Sequence, residues 1–236
     1  MEPTRLYPFC PLPAPHSGES LAGRIAYVDM GPLDILELPA TADDLNTLWV
    51  RGGYPDSNLA ADDEQSLQIR KDFIRTYLQR DVGMFGPRLP AEMLERLWTM
   101  LAHNQGGLLN ASRFASGLDV SAQTVTRYID LLADLLLVRC LPPLRANIGK
   151  RLVKSPKTYV RDSGLVHALL GIKDYNALAG HPVVGASWEG FVIENLLAAP
   201  PQTMASFYRT SAGAELIWCL NCRTRAGCGP SKLNEG

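Results

Sequence analysis

The run from Ala91 to Leu141 most limits what this chain can fold into, because three stretches of helical periodicity are separated there by glycines and helix-capping residues. Ala91 to Gln105 places Met93, Leu94, Leu97, Trp98 and Leu101 on one side at helical spacing, and Gly106-Gly107 ends it. Asn110 suits an N-cap for a short helix, Ala111 to Ser116, which Gly117 stops. Ser121 suits a second N-cap, for a helix running through Thr124, Tyr128 and Leu132. Leu135 to Leu141 then reads as an apolar strand closed by Pro142-Pro143. Three helices, the last two joined by a short turn and followed by a strand, predict a winged helix-turn-helix. In that motif the second helix of the pair enters the major groove of DNA by its early residues. Here those are Ser121, Gln123, Thr124, Thr126 and Arg127. A plain three-helix bundle gives a similar pattern, and winged helices also dock proteins, so DNA contact and protein docking both stand at this stage.

Charge does not choose between them. The formal net charge is -1, so nucleic acid exerts no overall pull on the chain and any contact has to come from a local patch. The strongest patch is Arg145, Lys150, Arg151, Lys154, Lys157 and Arg161, six cations within 17 residues just after the expected wing. Phosphate contact is one reading; a solvated strand edge, where lysines discourage aggregation, is the other. Tyr159-Val160 then reads as a buried strand, and Asp162-Ser163 leads into a helix from Gly164 to Leu170.

Upstream, the proline-rich stretch 1–19 reads as an irregular head. Ile25 to Met30 and Leu33 to Leu38 are short apolar segments, 43–50 is a short helix, and Gly52-Gly53-Tyr54-Pro55 is a turn. Ala61 to Arg80 predicts a long amphipathic helix, with Leu67, Ile69, Phe73, Ile74, Tyr77 and Leu78 inside and Arg70, Lys71, Arg75 and Gln79 facing water. No run approaches the roughly 18 apolar residues of a membrane span, and Met1 to Pro15 lacks the apolar centre of a signal peptide. A soluble, cytoplasmic protein with no membrane partner is expected.

The remaining candidates for chemistry are sparse. Cys219, Cys222 and Cys228 cluster near the end, but three cysteines without a histidine fall short of the four ligands of structural zinc. His103, His167 and His181 are scattered and fit packing better than catalysis, and no G-x-S-x-G nucleophile motif is present. No metal, cofactor or catalytic residue is expected.

Several motifs occur in a fixed order. They are Ser20-Leu21-Ala22-Gly23-Arg24, Arg51-Gly52-Gly53-Tyr54-Pro55, Tyr77-Leu78-Gln79-Arg80-Asp81, the stretch from Asn147 to Lys157, Tyr159-Val160-Arg161-Asp162-Ser163-Gly164-Leu165, and Trp188-Glu189-Gly190-Phe191. Together they resemble a group of prokaryotic AAA+ superfamily ATPases that carry a C-terminal domain of unknown function. The resemblance implies an ATPase module ahead of the Ser20 stretch. This chain contains no G-x-x-x-x-G-K-[ST] loop to cradle phosphates, so ATP hydrolysis by it alone is not expected. The resemblance also implies a PD-(D/E)xK nuclease-like last segment, whose first helix carries Glu189 and Glu194 and whose next strand starts at Gly213-Ala214-Glu215. Hydrolysis there needs carboxylates converging on hard cations. The Asp expected after Glu215 and the later Glu-x-Lys are both missing, which leaves Glu189, Glu194 and Glu215 as vestiges.

With one choice of codons the missing motifs return in another reading frame. Leu216 to Asn221 written CTG ATC TGG TGC TTG AAC gives Asp-Leu-Val-Leu-Glu from the third base onward. Pro230 to Glu235 written CCG TCG AAA TTA AAC GAA gives Val-Glu-Ile-Lys-Arg in the same frame. A base lost near codon 216 would make 217–236 an out-of-frame tail.

The expected fold is therefore α+β and mainly helical, a winged helix-turn-helix followed by an incomplete nuclease-like α/β segment. The expected divisions are a head at 1–19, a linking region at 20–85, a winged-helix-like domain at 86–160, a partial nuclease-like domain at 161–216 and the tail at 217–236. The expected function is a non-catalytic C-terminal fragment of an AAA+ type ATPase that binds DNA or a partner, either another protein or an ATPase module. A stand-alone winged-helix regulator is the alternative. Ser121, Gln123, Thr124, Arg127, Lys150, Arg151, Lys154 and Lys157 are the expected nucleic-acid contacts.

Overall fold

A computed structural model describes residues 31–39, 41–81, 90–144, 155–198, 203–209 and 215–221. Helices α1 (Ala42–Arg51), α2 (Pro55–Asn58) and α3 (Asp63–Thr76) come first, and α3 loosens into a π turn over Tyr77–Asp81. Then follow α4 (Ala91–His103), β1 (Gly107–Leu108), α5 (Ala111–Leu118), α6 (Ala122–Asp134), β2 (Val138–Leu141) and β3 (Lys157–Val160). Helices α7 (Ser163–Leu169), α8 (Tyr175–Ala179) and α9 (Val184–Ala198) precede the hairpin of β4 (Thr203–Arg209) and β5 (Glu215–Asn221). The architecture is α+β and mainly helical. One antiparallel sheet has the order β1-β3-β2, with Val138 opposite Val160 and Gly107 opposite Thr158. The β4–β5 hairpin is tied to the end of β2, where Leu144 N–H donates to Phe207 O and Phe207 N–H to Pro142 O.

Capping side chains set most helix starts. Asn110 accepts from Arg113 N–H and Ser121 from Thr124 N–H, at the two positions the sequence picks out. Thr41, Asp62, Asp162 and Asp174 do the same for α1, α3, α7 and α8. The helix ends depart from the reading in physically simple ways. Gly117 lies inside α5, and Asp119 takes the left-handed conformation that ends it, at φ 56°. Helix α6 runs on to Asp134, so Leu135–Leu137 form a turn, with Leu136 at φ 59°, and the strand starts only at Val138. The long helix opens at Tyr77, next to Thr76, whose hydroxyl donates back to the carbonyls of Asp72 and Phe73. Leu33–Leu38 forms turns, and Ile25–Met30 lies outside the described residues.

One large core joins α1 and α3–α7 through Leu48, Leu94, Leu97, Trp98, Leu101, Val125, Ile129, Leu132 and Val166. A smaller one, made of Leu141, Tyr159, Ile193 and Phe207, lies between the sheet, α9 and β4. Arg70 is a correction. The sequence puts it with Lys71, Arg75 and Gln79 on the wet face, yet it is 1% exposed. Its guanidinium donates to the carbonyls of Ser66, Val50 and Gly164, and so joins α3 to α1 and α7.

Beside it sits Asp162. Its carboxylate accepts from Gly53 N–H at 2.8 Å and from Leu165 N–H at 2.8 Å, bridging the turn after α1 to the start of α7. The approach is close enough to demand glycine. Gly52 has φ 80°, and a Cβ there would lie 2.2 Å from the Asp162 carboxylate. A Cβ on Gly164 would lie 2.2 Å from the Arg51 carbonyl. Gly164→Ala is expected to cost about 3 kcal/mol in denaturant unfolding, because the backbones must separate. Gly185→Ala, in α9 with open space around it, is expected to stabilise by about 0.5 kcal/mol.

Candidate nucleic-acid interface

Helix α6 buries Val125, Ile129 and Leu132 against the core. The opposite face is open: Ser121, Gln123, Thr126 and Arg127 are exposed, and Thr124 is partly so. Ser121 and Thr124 hydroxyls lie 2.9 Å apart and are largely occupied in capping, and Thr126 donates to Ala122 O. That leaves Gln123 and Arg127, one turn apart, as the side chains projecting from the first half of the helix. Asp130 and Asp134 occupy the exposed face of the second half. The start of α6 is thus electropositive or neutral and its end acidic.

Lys150, Arg151 and Lys154, with Arg145, fall in the connection between β2 and β3, outside the described residues. Lys157, the last of the expected contacts, is a correction. It is 3% exposed, and its ammonium lies 3.1 Å from Glu189 Oε1 and over the rings of Tyr159 and Phe207. β-strand alternation puts it on the inner face, where α9 covers it. Arg161 is also engaged, donating to Glu194 Oε2 at 2.9 Å. Arg139 joins it on the same carboxylate, through Nε and through Nη2 at 2.8 Å.

The carboxylates of α9 are therefore the other half of these pairs. Glu189 and Glu194 turn to different cations, Glu189 to Lys157 and Glu194 to Arg139 and Arg161. Glu215 lies opposite Arg209 in the β4–β5 register. Among the described residues no group of three His, Cys, Asp or Glu could hold a metal ion. Residues 217–221, the start of the expected out-of-frame tail, pair along β4, and the rest of the tail lies outside the described residues.

Sequence reasoning missed a buried polar chain beside the large core. Trp49 Nε1–H donates to Ser187 Oγ at 3.1 Å, and Ser187 meets His167 Nε2 at 2.8 Å. His167 Nδ1 reaches Val50 O at 2.9 Å, and because a carbonyl can only accept, the ring nitrogen facing it carries the proton. The ring is thereby fixed with its proton on Nδ1, accepting from Ser187 at Nε2. Ser187 and His167 are both 0% exposed, so the chain of bonds holds α1, α7 and α9 together rather than facing a substrate. No periodicity marks it, because it joins three helices distant in sequence.

The comparisons with known proteins fit onto this frame. Residues 42–176 match the model of a domain of unknown function, DUF8612. The chain belongs to this family. The DUF8612 segment runs from α1 into α8 and so includes the Asp162 contact, α6 and the three-stranded sheet. Uncharacterized proteins of Mycobacterium tuberculosis and Mycobacterium bovis are each 46% identical over 200 residues, covering 85% of this chain and 45% of their own length. The chain thus spans less than half the length of these curated relatives. No solved structure matches. No helix among the described residues is long and apolar enough to cross a membrane.

Burial lowers the His167 pKa to about 4 from its ordinary value of 6.5. Between those values the unfolded chain takes up a proton that the folded ring refuses, so this contribution to stability is full above about pH 6.5 and is lost as pH falls toward 4. The expected loss is on the order of 3 kcal/mol. Asp162 acts in the opposite sense, since burial raises its pKa and the folded state holds that proton more tightly than the unfolded chain does. Denaturant titrations from pH 7 to 4 should show declining stability in the parent chain and a shallower or reversed slope in His167→Gln.

Proposed function

We propose that this chain is a binding module in which 91–160 works as a winged helix and α6 enters the major groove of duplex DNA. The observation that carries the reading is the two-sided character of α6, with Val125, Ile129 and Leu132 packed behind and Gln123 and Arg127 projecting from its first two turns. Gln and Arg are the side chains that read adenine and guanine edges by paired hydrogen bonds. The element order α4-β1-α5-α6-β2-β3 and the sheet order β1-β3-β2 support the same reading. The β2–β3 connection would be the wing, and its Arg145, Lys150, Arg151 and Lys154 would meet phosphates. In this account the chain serves a longer AAA+ type ATPase, and its work is binding. Glu189 and Glu194 act as ion-pair partners that seat α9 on the sheet.

A second reading, docking of a protein partner on α6, is favoured by Asp130 and Asp134, which would repel phosphate at the end of the same face. Fluorescence anisotropy with a labelled duplex across a salt series separates the two. DNA binding predicts affinity that falls steeply with salt. Replacing Lys150, Arg151 and Lys154 by Ala is expected to lower the log–log salt slope by about three. Arg127→Ala is expected to cost about 1–3 kcal/mol of affinity. No binding at low salt favours protein docking.

A further inference from the structure

We infer that the acid-rimmed apolar groove between 31–39 and α1 is a docking site for an apolar segment flanked by basic residues, carried by the part of the longer relatives that has no counterpart in this chain. The groove holds about 210 Å³ and is lined by Ile35, Leu38, Pro39, Ala42, Leu45 and Leu48. Leu36 beside it is 73% exposed and Ile35 is 40% exposed. The segment is joined to α9, because Ile35 N–H donates to Asn195 Oδ1 at 2.9 Å. Helical spacing puts Asn195 on one face of α9 with Trp188 and Leu196, which are 39% and 54% exposed. The helix is apolar around most of its circumference, a pattern that belongs to a helix covered on all sides. Its two glutamates turn inward to the sheet, so the side left open is apolar.

The rim says what would cover this face. Asp44 lines the groove, Asp34, Glu37 and Asp43 belong to the same two segments that form it, and no Lys or Arg occurs from Gly31 to Val50. Two copies of this face brought together would set acid against acid, so a second copy is a poor occupant. A segment with an aliphatic or aromatic anchor and flanking cations is a good one. The relatives that share 200 residues with this chain have more than half their length outside the match, enough to supply such a segment in the same molecule. The inference is independent of what α6 binds.

The test uses the unmatched portion of the Mycobacterium tuberculosis relative as the probe, expressed separately and mixed with this chain. Isothermal titration is expected to show a complex that weakens at least tenfold with Leu36→Asp and weakens with rising salt. Asp43→Asn should weaken it and flatten the salt dependence. Both surface variants should melt like the parent. A complex indifferent to Leu36→Asp, or self-association of this chain through the groove, overturns the inference. If the probe does not fold alone, hydrogen exchange compares this chain with the intact relative. The amides of 31–39 and α1 should be better protected in the intact protein, and equal protection there overturns the inference.

Discussion

The contact on which the rest of the structure depends is the Asp162 carboxylate held between Gly53 and Leu165 N–H, with the Arg70 guanidinium close by on the carbonyls of Val50 and Gly164. A buried carboxylate is tolerable only when its oxygens are taken up by donors. Asp162 gains them from two backbones more than a hundred residues apart in sequence. It thereby sets the turn after α1 against the start of α7. Because α7 follows β3 directly, the same contact fixes the sheet relative to α1 and α3. The glycines at 52 and 164 exist in this account to let the two backbones approach.

From that anchor the electrostatics of the remainder follow. The cations that the sequence displays as one basic stretch are divided by strand geometry. Those on β3 and just after it face α9 and are neutralised by Glu189 and Glu194; the others fall in the β2–β3 connection, outside the described residues. Two of the three carboxylates that the sequence marks as vestigial, Glu189 and Glu194, clamp α9 to the sheet. Part-buried ion pairs of this kind gain from being bidentate, as Arg139 is on Glu194.

The local chemistry of the helices was legible in the sequence. Asn110 and Ser121 mark their helices, and the apolar spacing of α4 and α6 identifies the faces that enter the core. Tertiary relations were less so. Arg70 lies at a position whose helical phase allows either face, and only the carbonyls of α1 and α7 explain its burial. Lys157 belongs to a run of cations, and nothing local separates it from Lys154. The motif Arg51–Pro55 and the motif Tyr159–Leu165 stand out as strings, but that they pack on each other follows only from the fold. The β4–β5 hairpin does not separate the two readings of 217–221, since Ile217-Trp218-Cys219-Leu220 is as suited to a strand as Asp-Leu-Val-Leu would be.

The central claim is that α6 presents its first two turns to duplex DNA while the Asp162 contact and α9 hold the frame behind it. The most direct measurement is a residue-resolved amide spectrum of the chain titrated with a duplex at low salt. The account predicts shifts concentrated at Ser121–Arg127 and in the β2–β3 connection, with Val50, Gly53 and Leu165 unmoved. Shifts confined to other surfaces, or none on α6 when the duplex is saturating, would contradict it.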